Sequence, residues 1–269
     1  MMPISKKCIG FLLTPALFAL GAAGAETISV KSGRPVADAA RKLEFRYNWA
    51  ITYEDPPYTY AGDLEDVNAA ARRAARDAGR PEVKVLITPR DVSFSFTLED
   101  GPRTSEDRPR PTTRSPETTA REAILTMLRS YSASLGGVET FTLTDSNGLF
   151  HIVPTRVRNA AGVFETFTPL LDRTVSIPPG KRTGIALINE ICQSLSEQSG
   201  VKVVLGGRSN LLLQHMTAIA STPNETARSI LSRLFAELRR PASWEIRYGL
   251  LGGSGMYVMG VYLVEAPII

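Results

Sequence analysis

Two cysteines and two histidines among 269 residues leave little material for a metal centre or a disulfide framework. Neither sign of charge dominates. The 31 Lys+Arg stand against 27 Asp+Glu, and the net charge of +4 is interspersed along the chain, which excludes a nucleic-acid-binding stripe. Beyond residue 20 no window approaches the roughly 18 unbroken apolar residues of a membrane-spanning helix. Glycine (21) and proline (18) are too few for a collagen-like or low-complexity chain. What remains is ordinary globular composition, 43% hydrophobic and 22% charged, with room for one large domain or two small ones.

Residues 1–25 read as a signal peptide. Lys6 and Lys7 supply the positive start, Cys8–Leu20 the apolar run, and Ala23-Gly24-Ala25 a small-x-small cleavage site before Glu26. The chain is therefore expected to be exported, with no stable membrane insertion once the leader is removed. Cleavage leaves Cys192 as the only cysteine. Its helical spacing with Ile185, Ile188 and Leu195 makes it a small buried hydrophobe rather than a nucleophile.

The informative feature is a duplication. Ser115-Pro-Glu-Thr-Thr-Ala-Arg121 and Thr222-Pro-Asn-Glu-Thr-Ala-Arg228 share one phrase. Ala123, Ile124, Met127, Leu128 and Tyr131 then align without a gap on Ile230, Leu231, Leu234, Phe235 and Leu238, one apolar helical stripe in each copy. Ser115 or Thr222 is expected as N-cap, with proline opening the helix and Glu225 closing a capping box. A hairpin follows each helix: Val138–Thr144 and Leu149–Val153 about Asn147-Gly148, then Ser243–Leu250 and Met256–Val264 about Gly252–Gly255. Strands precede each helix at Val92–Leu98 and Leu211–Ala220. Further upstream, each copy opens with strand, helix and strand. These are Ile28–Val30, the Val36–Leu43 stripe and Trp49–Tyr53 in one copy. In the other they are Val175–Ile177, a helix over Thr183–Ser199 closed by Gly200, and Val201–Leu205.

The spacing thus predicts an α+β chain of two tandem β-α-β-β-α-β-β modules, over residues 26–155 and 174–269, with 156–173 as linker. The first copy has a longer middle, read as a helical insertion (Leu64–Ala78) and a mobile loop (Asp100–Arg114). This order, with Ala186-Leu-Ile-Asn-Glu-Ile-Cys-Gln-Ser-Leu195 running into Ser199-Gly-Val-Lys-Val-Val204, resembles the short N-terminal domain of secretins and TonB-dependent receptors. Arg34-Pro-Val-Ala-Asp-Ala-Ala-Arg-Lys-Leu43 followed by Trp49-Ala-Ile-Thr52 is a looser version. The resemblance implies a non-enzymatic protein-interaction module of the cell envelope, without catalytic residues or cofactor. Neither the pore region of a secretin nor the plug and barrel of a receptor follows in this sequence.

No constellation of residues contradicts that implication. His151 and His215 have no partners at metal-ligand spacing. Ser199 and Lys202 match S-x-x-K only across the helix-ending Gly200. The region that holds attention is Tyr53-Glu-Asp-Pro-Pro-Tyr-Thr-Tyr60 with Asp63, Glu65 and Asp66. A proline-stiffened loop presents side chains at low entropic cost, so Tyr53, Pro57, Tyr58, Tyr60 and Asp63 are the candidate partner-binding residues. The bland alternative is a rigid connector whose tyrosines cover the core. A third reading is an exported enzyme or small-ligand binder using Tyr53–Asp66, which requires a cavity beside Tyr58 and Asp63. A docking protein would use its open sheet edges, and a lattice component would self-associate.

Overall fold

The computed structural model describes residues 25–81, 87–98, 116–206, 213–214, 217–238, 241–251 and 254–264. Residues 1–24 of the expected signal peptide, the stretch Asp100–Arg114 expected as a loop, Ser115 and His215 lie outside these. The fold is mixed α+β, with five α-helices and fourteen strands among the described residues.

The first stretch runs β1 (Glu26–Ser32), α1 (Pro35–Tyr47), β2 (Ile51–Glu54), β3 (Leu64–Asp66), α2 (Ala69–Asp77), β4 (Ile87–Pro89), β5 (Val92–Leu98), α3 (Pro116–Ser134), β6 (Phe141–Ser146) and β7 (Leu149–Pro154). Then come β8 (Arg156–Arg158) and β9 (Phe164–Thr166). The rest is β10 (Thr174–Thr183), α4 (Gly184–Ser199), β11 (Lys202–Leu205), β12 (Thr217–Thr226), α5 (Ala227–Ala236), β13 (Ala242–Leu251) and β14 (Ser254–Leu263).

Periodicity decides the packing. Alternation in Val92-Ser-Phe-Ser-Phe-Thr-Leu98 buries Phe94, Phe96 and Leu98 on one face of β5. β5 pairs antiparallel with β1, and the helices α1 and α3 touch that two-stranded sheet on one side and β2 or β6 on the other. The core holds Leu43, Ile124, Met127 and Ile152. In the second stretch β10 pairs antiparallel with β12, and α4 lies against both β10 and β11. Ile188, Ile191, Cys192, Leu195, Leu231 and Trp244 fill that core.

The large sheet has the order β11-β14-β13-β2-β7-β6, with β3 and β4 attached beside β13. β11 is parallel to β14 and β2 is parallel to β7, while β13–β14 and β6–β7 are antiparallel hairpins. The two three-strand groups meet where β13 runs parallel to β2, Glu245 opposite Tyr53 and Ile246 opposite Glu54.

Three local expectations shift. Leu64–Asp66 leaves the expected helix because it pairs with β4, and α2 starts at Ala69. The cap expected at Thr222 moves to Thr226, whose hydroxyl accepts from Ser229 N at 3.2 Å. β12 pairs with β10 as far as Thr226, so Pro223 sits in the strand and Glu225 pairs with Arg233 instead of closing a capping box. β10 also outruns its expected end. Register irregularities between Val175 and Gly180 accommodate Pro178 and Pro179, prolines that a two-stranded ribbon tolerates on its unpaired side.

Candidate functional site

β2 is an interior strand, flanked by β13 and β7, and all four of its residues are buried. Asp55 precedes two prolines, so the chain leaves the sheet extended and turns at once. Four donors converge on the Asp55 carboxylate. Arg34 Nε lies at 2.5 Å, Tyr53 OH at 2.7 Å, the Tyr248 backbone N–H at 3.0 Å and Tyr58 OH at 3.3 Å. Arg34 also donates to the Tyr248 carbonyl, so α1, β2 and β13 are tied at one point. Burial raises the Asp55 carboxyl against the pull of Arg34, and burial beside Asp55 holds the Tyr53 and Tyr58 phenols well above their ordinary value. Both tyrosines are thus neutral donors at any physiological pH.

Tyr53 therefore stands in the core, and Tyr58 faces Tyr248 at a ring separation of 6.4 Å. Tyr60 is held differently. A Cβ at Gly62 would approach its ring to 2.2 Å and one at Gly162 to 3.0 Å, so the ring lies between two stretches of bare backbone. Gly162 also takes φ +81°, a conformation that favours glycine. Asp63 accepts from Arg158 Nη1 at 2.8 Å, and Thr59 Oγ1 donates to the Arg158 carbonyl at 2.6 Å. The β8–β9 hairpin is thereby fastened to the tyrosine loop.

A cavity of about 320 Å³ lies between them, beside Tyr58 and Asp63 as the ligand-binding alternative requires. Tyr53, Tyr131, Phe141, Val36, Val157 and Phe164 supply apolar wall, and Pro57 belongs to the lining. Arg34, Arg90, Arg156 and Arg158 also line it, against Asp63 as the single acid. Arg34 and Arg158 are taken by Asp55 and Asp63. Arg90 and Arg156 are exposed and have no carboxylate partner among the described residues. The Thr140 hydroxyl and Arg158 Nε are buried without a hydrogen-bond partner. Burial lifts the Tyr131 phenol to about 12.

Comparison with protein-family models, with curated proteins and with solved structures finds no match to this chain. Function must be argued from these residues.

Other chemistry-bearing groups are enclosed. His151 hydrogen-bonds Thr52 Oγ1 at 2.7 Å through Nδ1, and Ser146 and Ser232 at 2.8 and 3.2 Å through Nε2. Ser232 and His151 are within reach of one another as nucleophile and base, yet each is 1% exposed, so no substrate reaches them together. Burial, then the nearby Arg228, lowers His151 to about 3. Burial alone lifts the Cys192 thiol to about 12. Among the described residues no three His, Cys, Asp or Glu side chains converge for a metal ion.

Sequence reasoning finds the tyrosine loop and misses the arginines. Arg156-Val157-Arg158 does alternate as a strand does, and that pattern is a local signal that two arginines share a face. Arg34, Arg90 and Thr140 carry no such signal; only the tertiary fold brings them to the cavity.

Proposed function

We propose that this chain is an exported, non-enzymatic docking protein of the cell envelope. In this reading it is built of two tandem modules like those at the N-termini of secretins and TonB-dependent receptors. The observation that carries the reading is the recurrence of one pairing scheme. β1–β5 with β2–β7–β6 has the same senses and chain order as β10–β12 with β11–β14–β13. A chance coincidence would have to match an antiparallel pair, a parallel pair and a hairpin at once.

The docking mode follows from the ends of the large sheet. The modules already join edge to edge through β13 and β2, which leaves β6 and β11 as terminal strands among the described residues. A terminal strand presents unpaired N–H and C=O groups to a partner strand. β6 is the more polar of the two, with Thr142, Thr144 and Asp145 exposed, and β11 offers Lys202 beside the half-buried Val204 and Leu205.

A photo-activated cross-linker placed at Thr144 or at Lys202 in the exporting bacterium tests this. The expected result is one dominant envelope protein at one edge, lost when Asp145→Pro or Leu205→Pro removes a donor that faces away from the sheet. Recovery of no envelope protein at either edge overturns the reading, as does retention of the protein in the cytoplasm. A cross-linked dimer of the chain itself would replace it with the self-associating lattice component.

A further inference from the structure

We propose that the cavity between the Tyr53–Asp66 loop and the β8–β9 hairpin binds a small aromatic acid, its ring on the apolar wall and its carboxylate at the arginines. This is independent of edge docking: neither β11 nor Thr142–Ser146 of β6 contributes to the lining.

Size comes first. At about 320 Å³ the cavity stands at the lower end of the roughly 300–1,000 Å³ typical of small-molecule sites, which restricts the occupant to a compact molecule. Wall chemistry comes second. Tyr53, Tyr131, Phe141 and Phe164 give ring faces and edges on which an aromatic body packs better than a flexible polar one.

Charge decides the rest. Two of the four lining arginines are internally neutralised, and the other two, Arg90 in the β4–β5 connection and Arg156 at the start of β8, reach the site without a partner acid among the described residues. A neutral ligand leaves that positive charge uncompensated, and a cation is repelled; a carboxylate answers it with charge-assisted hydrogen bonds. A further observation points inward. Thr140, 6% exposed and part of the lining, has a buried hydroxyl with no partner in the protein, and so does the Nε of Arg158. Buried polar atoms in native proteins are nearly always satisfied, so an unspent hydroxyl and an unspent guanidinium N–H in one cavity wall ask for polar atoms on an occupant.

Calorimetric titration of the protein recovered from export, at low salt, tests the assignment with four probes: 4-hydroxyphenylacetate, its neutral amide, acetate and tyramine. The expected result is sub-millimolar binding of 4-hydroxyphenylacetate, with a Tm that rises with its concentration. The amide and acetate should bind at least tenfold more weakly, and tyramine not at all. The double variant Arg90→Glu/Arg156→Glu should lose at least tenfold in affinity at unchanged Tm, since neither residue has a carboxylate partner to lose among the described residues. Val157→Trp, which fills the cavity, should abolish binding. Three results overturn the proposal: no binding of 4-hydroxyphenylacetate below 10 mM, equal binding of the amide, or an affinity indifferent to Arg90→Glu/Arg156→Glu. Each can occur whether or not a docking partner exists, so the two readings fail separately.

Discussion

Arg121 and Arg228 occupy the same place in a shared phrase, Thr-Ala-Arg, in the second turn of α3 and the first turn of α5, and they live in different environments. Arg121 reaches Asp145 at 3.2 Å with 43% of its side chain exposed. Arg228, at 10%, donates to Glu54 at 2.5 Å and to Asp172 at 2.6 Å. Glu54 is fully buried at the β2–β13 seam and also accepts from the backbone N–H groups of Leu170 and Leu171. One sequence position is thus a solvated ion pair in one half and the closing charge of a seam in the other. The shared phrase aligns the two arginines in sequence, and the neighbouring half sets what each is worth.

The largest expected effect tests that contrast directly. Arg228→Leu leaves the Glu54 carboxylate buried beside the raised-pKa Asp55 without its cation, a loss of about 3–5 kcal/mol. Arg121→Leu should stay within about 0.5 kcal/mol, as exposed pairs do. Urea denaturation of the two variants reads the difference, and equal losses would dissolve the comparison.

A second test uses acid. His151 is held at about 3 in the folded protein against an ordinary 6.5, so the unfolded chain binds its proton first. Folding stability therefore falls as pH drops from 6.5 toward 3, with a slope of at most about 1.4 kcal/mol per pH unit from this group. Glu44, Glu54 and Asp55, raised chiefly by burial, act in the opposite sense above the ordinary carboxylate range, as native stability contributed there is lost with rising pH. The difference between the wild type and His151→Gln isolates the histidine. The variant should lose some stability at pH 7 and narrow the gap steadily as pH falls from 6.5; a constant gap would exclude this role.

The smallest expected effect lies at the hairpin. Gly162→Ala forces a side chain into φ +81° and onto the Tyr60 ring, at a cost of about 1–2 kcal/mol. Gly136→Ala, also at positive φ but with open space around its Cβ, should cost less. Thermal unfolding of the pair separates backbone conformation from the ring contact.

Much of the fold is legible because its signals are local. Asn147 and Gly148 both take positive φ, 52° and 76°, as a tight hairpin turn demands. Gly200 ends α4 at φ 69°, and Thr183 caps its start. The alternation of β5 and the stripes of α3 and α5 bury the residues they mark, except Tyr131 and Leu238, which are half-buried. The misreadings come from pairing at a distance. Thr222-Pro223 looks like a helix start until β10 claims it as strand, and Leu64–Asp66 looks helical until β4 does the same. The candidate site is half legible for the same reason. Tyr53, Tyr58 and Asp63 lie close together in the sequence, whereas Tyr131 of α3, Arg34, Arg90 and the Arg156–Arg158 pair come from separate stretches that only the closed fold assembles.

The seam ladder has a consequence for the order in which the molecule is completed. Glu54 waits for a cation 174 residues further along the chain, and Asp55 for a backbone donor 193 residues away. While the last strands are still missing, β2 has a bare flank and Asp55 lacks its Tyr248 donor. The earlier half is therefore a poorly closed intermediate, exposed to mispairing until the final hairpin arrives. Truncation before β13 should yield an aggregating fragment in place of a smaller native domain.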